Sequence, residues 1–194
     1  MPALLYAHGF LSSPMSYKAQ QVKHWLEQHR PDIDFICPQL PPYPKECANI
    51  LESIVDNANT HNQALYAIGS SMGGFWCTWL VEKYDLKALV INPGVDVLGL
   101  MPAYLNQDLR NYHSDEKYCL TDEHLSALAN YNLHPLTRLS RYWLLVQTGD
   151  ETLDYRLAVE KYQGCRQTVE QGGDHSFQGF GRYIPEAIEF FESP

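Results

Sequence analysis

Ser71 stands at the centre of Gly69-Ser70-Ser71-Met72-Gly73, with a glycine two residues before it and another two residues after. A hydroxyl projected from a sharp strand-to-helix turn is exposed for nucleophilic attack, but the strained backbone there leaves bulky neighbours two residues away nowhere to go. Gly69 and Gly73 relieve that crowding. The adjacent Ser70 has Ile68 and Met72 in the flanking positions, so register selects Ser71 as the nucleophile. A serine hydroxyl needs a base, and the base needs a carboxylate to orient it. The chain order expected of this turn is serine, acid, histidine. His175 is the one histidine after Asp150, and it lies in the loop Gly172-Gly173-Asp174-His175. Asp150, directly after an apolar run, is the favoured carboxylate. Asp154 is its rival, although it reads more readily as a helix-start residue favoured by the helix dipole. Asp174 would have to fold back on its neighbour and is a poor third.

Acyl chemistry at a serine also needs donors for the developing oxyanion, commonly two backbone N–H groups. Met72, after the nucleophile, supplies one. The loop His8-Gly9-Phe10 follows the first apolar run, and Phe10 N–H is the second candidate. His8 itself is assigned no chemistry, being as well explained by a loop side chain bonded to backbone. His24, His29 and His61 fall on or beside helical patterns and are expected at the surface. His113, His124 and His134 are expected to be surface or lid residues. No H-E-x-x-H or Cys/His cluster at ligand spacing occurs, nor a glycine-rich phosphate loop, so neither a metal nor a nucleotide cofactor is expected.

These residues are useful only if elements bring them together. Short apolar runs alternate with longer helical patterns, which predicts a mostly parallel sheet with crossover helices. Strands are predicted at Leu4–Ala7, Asp34–Cys37, Ala64–Ile68, Lys87–Ile91, Tyr142–Thr148 and Gln167–Glu170. Helices are predicted at Pro14–His29, from Glu46 to about Asn59, after the Ser71 turn, and from about Pro185, where Ile184, Ile188 and Phe191 share a face. His8-Gly9, the Ser71 turn, Asn92-Pro93-Gly94, Gly149-Asp150 and the His175 loop all follow predicted strands. Ligands of open parallel sheets bind beyond the carboxyl ends of the strands, so these loops converge on one rim. The reading is an α/β-hydrolase fold of about six strands with helices on both faces. Between about 95 and 141 the rhythm loosens, with helical stretches near Pro102–Leu109 and Asp122–Asn130. That segment is expected to be a small lid-like insertion, with Leu98, Leu100, Met101, Tyr104 and Leu105 as candidate pocket walls, in a single domain spanning 1–194.

Composition narrows the partners. The 194 residues are 45% hydrophobic and 19% charged, in the range of globular proteins. With 23 acidic against 14 basic residues the formal charge is −9, which argues against a phosphate-tracking surface and hence against nucleic acid. No apolar run approaches the roughly 20 residues of a membrane-spanning helix. Five scattered cysteines without a C-x-x-C pair, and no basic leader before the first apolar run, suggest free thiols in a reducing compartment. A cytoplasmic protein is expected.

Taken in order, His8-Gly9-Phe10 with Ser12-Ser13-Pro14, the Gly69–Gly74 turn, Asn92-Pro93-Gly94, Thr148-Gly149-Asp150-Glu151 with Leu153-Asp154-Tyr155, and Gly172-Gly173-Asp174-His175 resemble the YqiA-type bacterial esterases. The resemblance spans nearly the whole chain. It implies a compact, cofactor-free cytoplasmic α/β-hydrolase cleaving small or medium acyl carboxylic esters or acyl-CoA thioesters, with Ser71, Asp150 and His175 in the catalytic roles. Many hydrolases carry Pro or Val-Pro after the acid loop, where this chain has Asp154-Tyr155, and that departure keeps Asp154 in contention. The same triad serves acyl transfer, lyase or peptidase chemistry, and a silent hydrolase fold used for binding is the remaining alternative.

Overall fold

The computed structural model describes residues Met1–Ser193. Strands β1 (Ala3–Ala7), β2 (Asp34–Ile36), β3 (Leu65–Ser70) and β4 (Lys87–Ile91) alternate with helices α1 (Tyr17–His29), α2 (Pro44–Thr60) and α3 (Met72–Tyr84). The next segment holds a short helix α4 (Val97–Leu100), a 3₁₀ turn (Met101–Tyr104), two-residue strands β5 (Leu109–Arg110) and β6 (Lys117–Tyr118), and helix α5 (Asp122–Ala129). Strand β7 (Tyr142–Gln147), helix α6 (Tyr155–Lys161), strand β8 (Arg166–Glu170) and helix α7 (Ile184–Glu192) complete the order. Six strands form one sheet in the order β2-β1-β3-β4-β7-β8. Every neighbouring pair in it is parallel.

Parallel strands buried on both faces read as continuous apolar runs, and the central strands β1, β4 and β7 are buried along their full length. Their side chains alternate between two cores. Leu5, Ala7, Ala88, Val90, Leu144 and Val146 face α2, α3 and α6. Leu4, Tyr6, Leu89, Ile91, Trp143 and Leu145 face α1 and α7. Each fully buried aliphatic side chain contributes about 1.5–3 kcal/mol by leaving water, so both faces anchor the strand ends. Helix α3 is apolar on nearly all sides because it lies between the sheet and the segment from 95 to 141: nine consecutive residues, Gly73–Val81, are buried.

The expected strands are present with ends moved by one or two residues. Helix α1 starts later than expected, since Pro14 and Met15 form a turn before it. The helix expected over Pro102–Leu109 is not there. The 3₁₀ turn ends at Tyr104, Leu105 is extended, and Asn106 adopts a left-handed φ of 55°. Asn106 N–H then donates to Leu120 O at 2.7 Å, and Leu109–Arg110 pair antiparallel with Lys117–Tyr118. Cross-strand bonds to partners outside the segment thus outcompete local helix propensity. Helix α5 lies where Asp122–Asn130 was expected, and the Thr121 and His124 side chains form its capping box.

Candidate active site

The turn after β3 holds Ser71 at φ 56° and ψ −120°, a left-handed conformation that a residue with a Cβ rarely adopts. Such strain costs about 1–3 kcal/mol and persists only where the surroundings over-determine it. Here they do. Ser71 N–H donates to Ile91 O at 3.0 Å, and Ser71 O accepts from Gly74 N and Gly94 N at 2.9 Å each. The flanking glycines are obligatory for contact reasons. A Cβ on Gly69 would lie 2.3 Å from Gly73 O, and one on Gly73 would lie 1.8 Å from Ala7 O. The β3–α3 turn is therefore pressed against the end of β1.

His175 Nε2 lies 3.0 Å from Ser71 Oγ, and His175 Nδ1 lies 2.8 Å and 3.0 Å from the two Asp150 oxygens. A carboxylate only accepts, so Nδ1 carries the proton and Nε2 is left to accept from the serine hydroxyl. Asp150 is buried, its side chain 1% exposed, and its Oδ1 also accepts from Thr152 N at 2.9 Å and Leu153 N at 2.8 Å. Asp154 is elsewhere: it caps α6, accepting from Arg156 N at 3.0 Å, and pairs with the Arg156 guanidinium, which holds its carboxyl below the usual range. Asp174 bonds Gln178, with its other oxygen buried and unpartnered. The structure thus brings Ser71, His175 and Asp150 into one hydrogen-bonded line and leaves both rival carboxylates out of it.

Phe10 and Met72 line the cavity over Ser71, and among the described residues neither N–H has a hydrogen-bond acceptor in the protein. Met72 is the first residue of α3, whose opening N–H groups have no acceptor within the helix. Gly9 lies above the nucleophile: a Cβ there would be 3.5 Å from Ser71 Cβ. His8 is buried and fully used, donating from Nδ1 to Gly9 O at 2.9 Å and accepting at Nε2 from Leu40 N at 3.0 Å. Burial pushes its pKa down. It fixes the loop that carries Phe10 and makes no bond to Ser71 or His175.

Three residues that position the histidine loop were not singled out in the sequence. Asn92, buried at the end of β4, donates from Nδ2 to Asp174 O at 3.1 Å and His175 O at 3.0 Å, while its Oδ1 accepts from Gln147 N at 3.1 Å. Gln147, buried at the end of β7, accepts at Oε1 from Asp174 N at 3.2 Å and Gln178 N at 2.7 Å. Glu151 Oε2 accepts from His175 N at 3.0 Å. The one legible signal was Asn-Pro-Gly after a strand: Asn tolerates the left-handed region, and Asn92 has φ 38°.

The cavity measures about 630 Å³. Val97, Leu100, Met101 and Tyr104 form one apolar wall, with Phe10 and Leu153 beside them. Of the five wall residues expected from the insertion, Leu100, Met101 and Tyr104 line the cavity, while Leu98 and Leu105 pack against the core beneath. His24, His29, His61, His113 and His134 are exposed, and His113 reaches the cavity rim.

A model of an uncharacterised protein family, UPF0227, matches residues 3–192. The chain belongs to that family. It is the YqiA family, which the ordered motifs resemble. Solved structures with the same fold include Est1E from Butyrivibrio proteoclasticus with ferulic acid bound, at TM-score 0.72, 14% identity, and coverage of 98% of this chain and 88% of that one. Mouse alpha/beta hydrolase domain-containing protein 10 aligns at TM-score 0.76 and 15% identity over 97% of this chain and 90% of that one. A monoacylglycerol lipase from Paleococcus ferrophilus aligns at TM-score 0.69 and 14% identity over 97% and 93%. At such identities the likeness establishes the α/β-hydrolase fold of this family member. Among the described residues, no helix is long and apolar enough to cross a membrane.

Proposed function

We propose that this member of the family is a serine esterase acting on small or medium acyl esters, with Ser71, His175 and Asp150 as its triad. The observation that carries the reading is the continuous line from Asp150 through His175 to Ser71 Oγ beneath a cavity lined by Phe10 and Met72, whose N–H groups have no acceptor among the described residues. Ser71 Oγ attacks the ester carbonyl as His175 Nε2 takes its proton. Asp150 holds the ring in the Nδ1–H tautomer and stabilises the imidazolium. The oxyanion of the tetrahedral intermediate is held by Phe10 and Met72 N–H. The C–O bond to the leaving group breaks as Nε2 returns the proton to it, leaving an acyl-serine. Water, deprotonated by His175, then releases the acid and restores Ser71.

The apolar wall of Val97, Leu100, Met101 and Tyr104 suits an acyl chain, and the segment 95–141 that supplies it serves as the lid of a single-domain enzyme. Structural relatives whose names include esterases and lipases support the same reaction class. Free cysteines, among them the exposed Cys119, suit a reducing cytoplasmic setting. The test is hydrolysis of p-nitrophenyl acetate and butyrate, alongside a chain-length series of esters and CoA thioesters. Wild type should turn over and Ser71→Ala should not. Undiminished turnover by Ser71→Ala, or failure of a fluorophosphonate to label Ser71 in wild type, removes the assignment.

A further inference from the structure

We infer that the catalytic cavity has a second, cation-walled arm that accepts a carboxylate on the substrate, with Lys18 as its binding group. The inference rests on the esterase reading and adds a substrate class to it: an ester with one apolar arm and one arm ending in a carboxylate.

The two walls of the cavity lie on opposite faces of the sheet. Val97 and Met101 belong to the core on the α2 and α3 face. The other wall comes from the start of α1 and the histidine loop, through Ser16, Tyr17, Lys18 and Ser176. Ala19, the residue after Lys18, sits in the core of the α1 and α7 face. Ser71 stands between the walls, so an ester bound at its hydroxyl extends one arm towards each. One arm meets Leu, Met, Val and Tyr side chains. The other meets hydroxyls and an ammonium.

Charge sharpens the contrast. The chain has 23 acidic residues against 14 basic ones, yet among the described residues the cavity lining includes Lys18, His113 and His175 and not one Asp or Glu. Lys18 Nζ donates to Ser176 O at 2.7 Å, which uses one of its three N–H groups and leaves two. Two negative charges act on it, Asp174 and Asp150, and neither bonds it: Asp174 bonds Gln178 through one oxygen, and Asp150 is closed under His175. Burial is the larger influence and pushes the Lys18 ammonium down to about 8. It is a half-buried cation with two N–H groups uncommitted in the protein, still charged near neutral pH.

Its position is also unfavourable without a ligand. A lysine in the first turn of a helix opposes the helix dipole, and α1 has no acidic residue in that turn and no side-chain cap from Ser16. Among the described residues the Ser16 hydroxyl has no hydrogen-bond partner, so turning it towards an anion breaks no bond.

The experiment compares ester pairs that differ only in charge. On the leaving-group side the pair is 4-(butyryloxy)benzoate and its methyl ester; on the acyl side it is p-nitrophenyl glutarate and its methyl ester. Wild type should favour the anion in one pair, and Lys18→Met should cut that preference by about tenfold to a hundredfold, the range for a charge-assisted hydrogen bond. Lys18→Arg should retain it. Turnover of the neutral esters reports the esterase reading separately. Calorimetric binding of 4-hydroxybenzoate and glutarate to the Ser71→Ala protein, with and without Lys18→Met, reports the subsite even where no ester is cleaved. Four results overturn the inference: no anion preference in wild type, equal losses on neutral and anionic esters in Lys18→Met, carboxylate binding that ignores Lys18, or a preference for 4-(butyryloxy)phenyl phosphate over the benzoate.

Discussion

Replacing Asp150 by Asn changes one charge and almost no volume, and the surroundings dictate which way the new amide points. Asp150 Oδ1 accepts from Thr152 N at 2.9 Å and Leu153 N at 2.8 Å. Only the amide oxygen can keep those two bonds. Turning the NH₂ towards them would lose both at roughly 1 kcal/mol each and set donors against donors. The NH₂ therefore occupies the Oδ2 position, 2.8 Å from His175 Nδ1. Being a donor, it forces Nδ1 to accept and moves the ring proton to Nε2. In that tautomer Nε2 cannot take the Ser71 proton. The same substitution in a serine protease lowers kcat by about 10⁴ through the wrong tautomer, and Asp150→Asn should lose about 10³–10⁴ in kcat on p-nitrophenyl butyrate with little change in KM. Asp154→Asn is the control. Its carboxylate is exposed and pairs with Arg156, so turnover should stay within about twofold of wild type. Circular dichroism melting confirms that both variants fold. An Asp150→Asn enzyme within tenfold of wild type, or a larger loss at Asp154→Asn, would refute the tautomer argument.

Three further outcomes follow from the framework behind the site. Asn92→Gly keeps the positive φ but removes three side-chain bonds between the ends of β4, β7 and the histidine loop; it should lower kcat at least about tenfold and destabilise the fold by about 1–3 kcal/mol in urea titrations. Wild-type kcat in that variant would show that the loop is held without it. Gly73→Ala sets a Cβ 1.8 Å from the backbone oxygen of Ala7, so the turn must part from β1; a loss above about 3 kcal/mol is expected, and an unchanged denaturation midpoint would contradict the contact. Burial opposes ionisation of Glu170, but bonds from Arg182, Tyr183 and Gln147 outweigh it and lower its carboxyl to about 2 from the ordinary 4.5. A depressed carboxylate stabilises above its unfolded pKa and ceases to as pH falls through the folded value. The stability gap between wild type and Glu170→Gln should thus be full near neutrality and shrink between about 4.5 and about 2; a gap that widens in acid would reverse the sign.

The sheet was legible because β1, β4 and β7 are buried on both faces and must be apolar throughout, which leaves unbroken runs in the sequence. The Ser71 turn was legible because steric exclusion leaves glycine as the residue that fits beside Ala7 O and Gly73 O. The choice between Asp150 and Asp154 was not, since both follow β7 within reach of a loop and only the chain path decides which turns inward. Asn92 and Gln147 were hidden for a related reason. Their bonds reach residues 82, 55 and 27 positions away, and no local period records them. The Pro102–Leu109 stretch misled because its apolar spacing suits a helix, while bonds to Leu120 and the β6 strand hold it extended.

The burial of Asp150 has a role beyond orienting His175. In a chain with nine excess negative charges, an oxyanion forming at Ser71 meets repulsion from any carboxylate facing the cavity. Among the described residues the lining has none, and the side chain of Asp150, the carboxylate of the proposed triad, is only 1% exposed, its oxygens taken up by Thr152 N, Leu153 N and His175 Nδ1. Its bonded partners are the imidazole ring and two backbone N–H groups. In the proposed reaction the N–H groups of Phe10 and Met72 and the Lys18 ammonium, all on the cavity lining, favour negative charge there. On the proposed function and substrate class, one arrangement would serve two ends, stabilising the transition-state oxyanion and admitting an anionic substrate arm. An exposed acid in the role of Asp150 would weaken both at once.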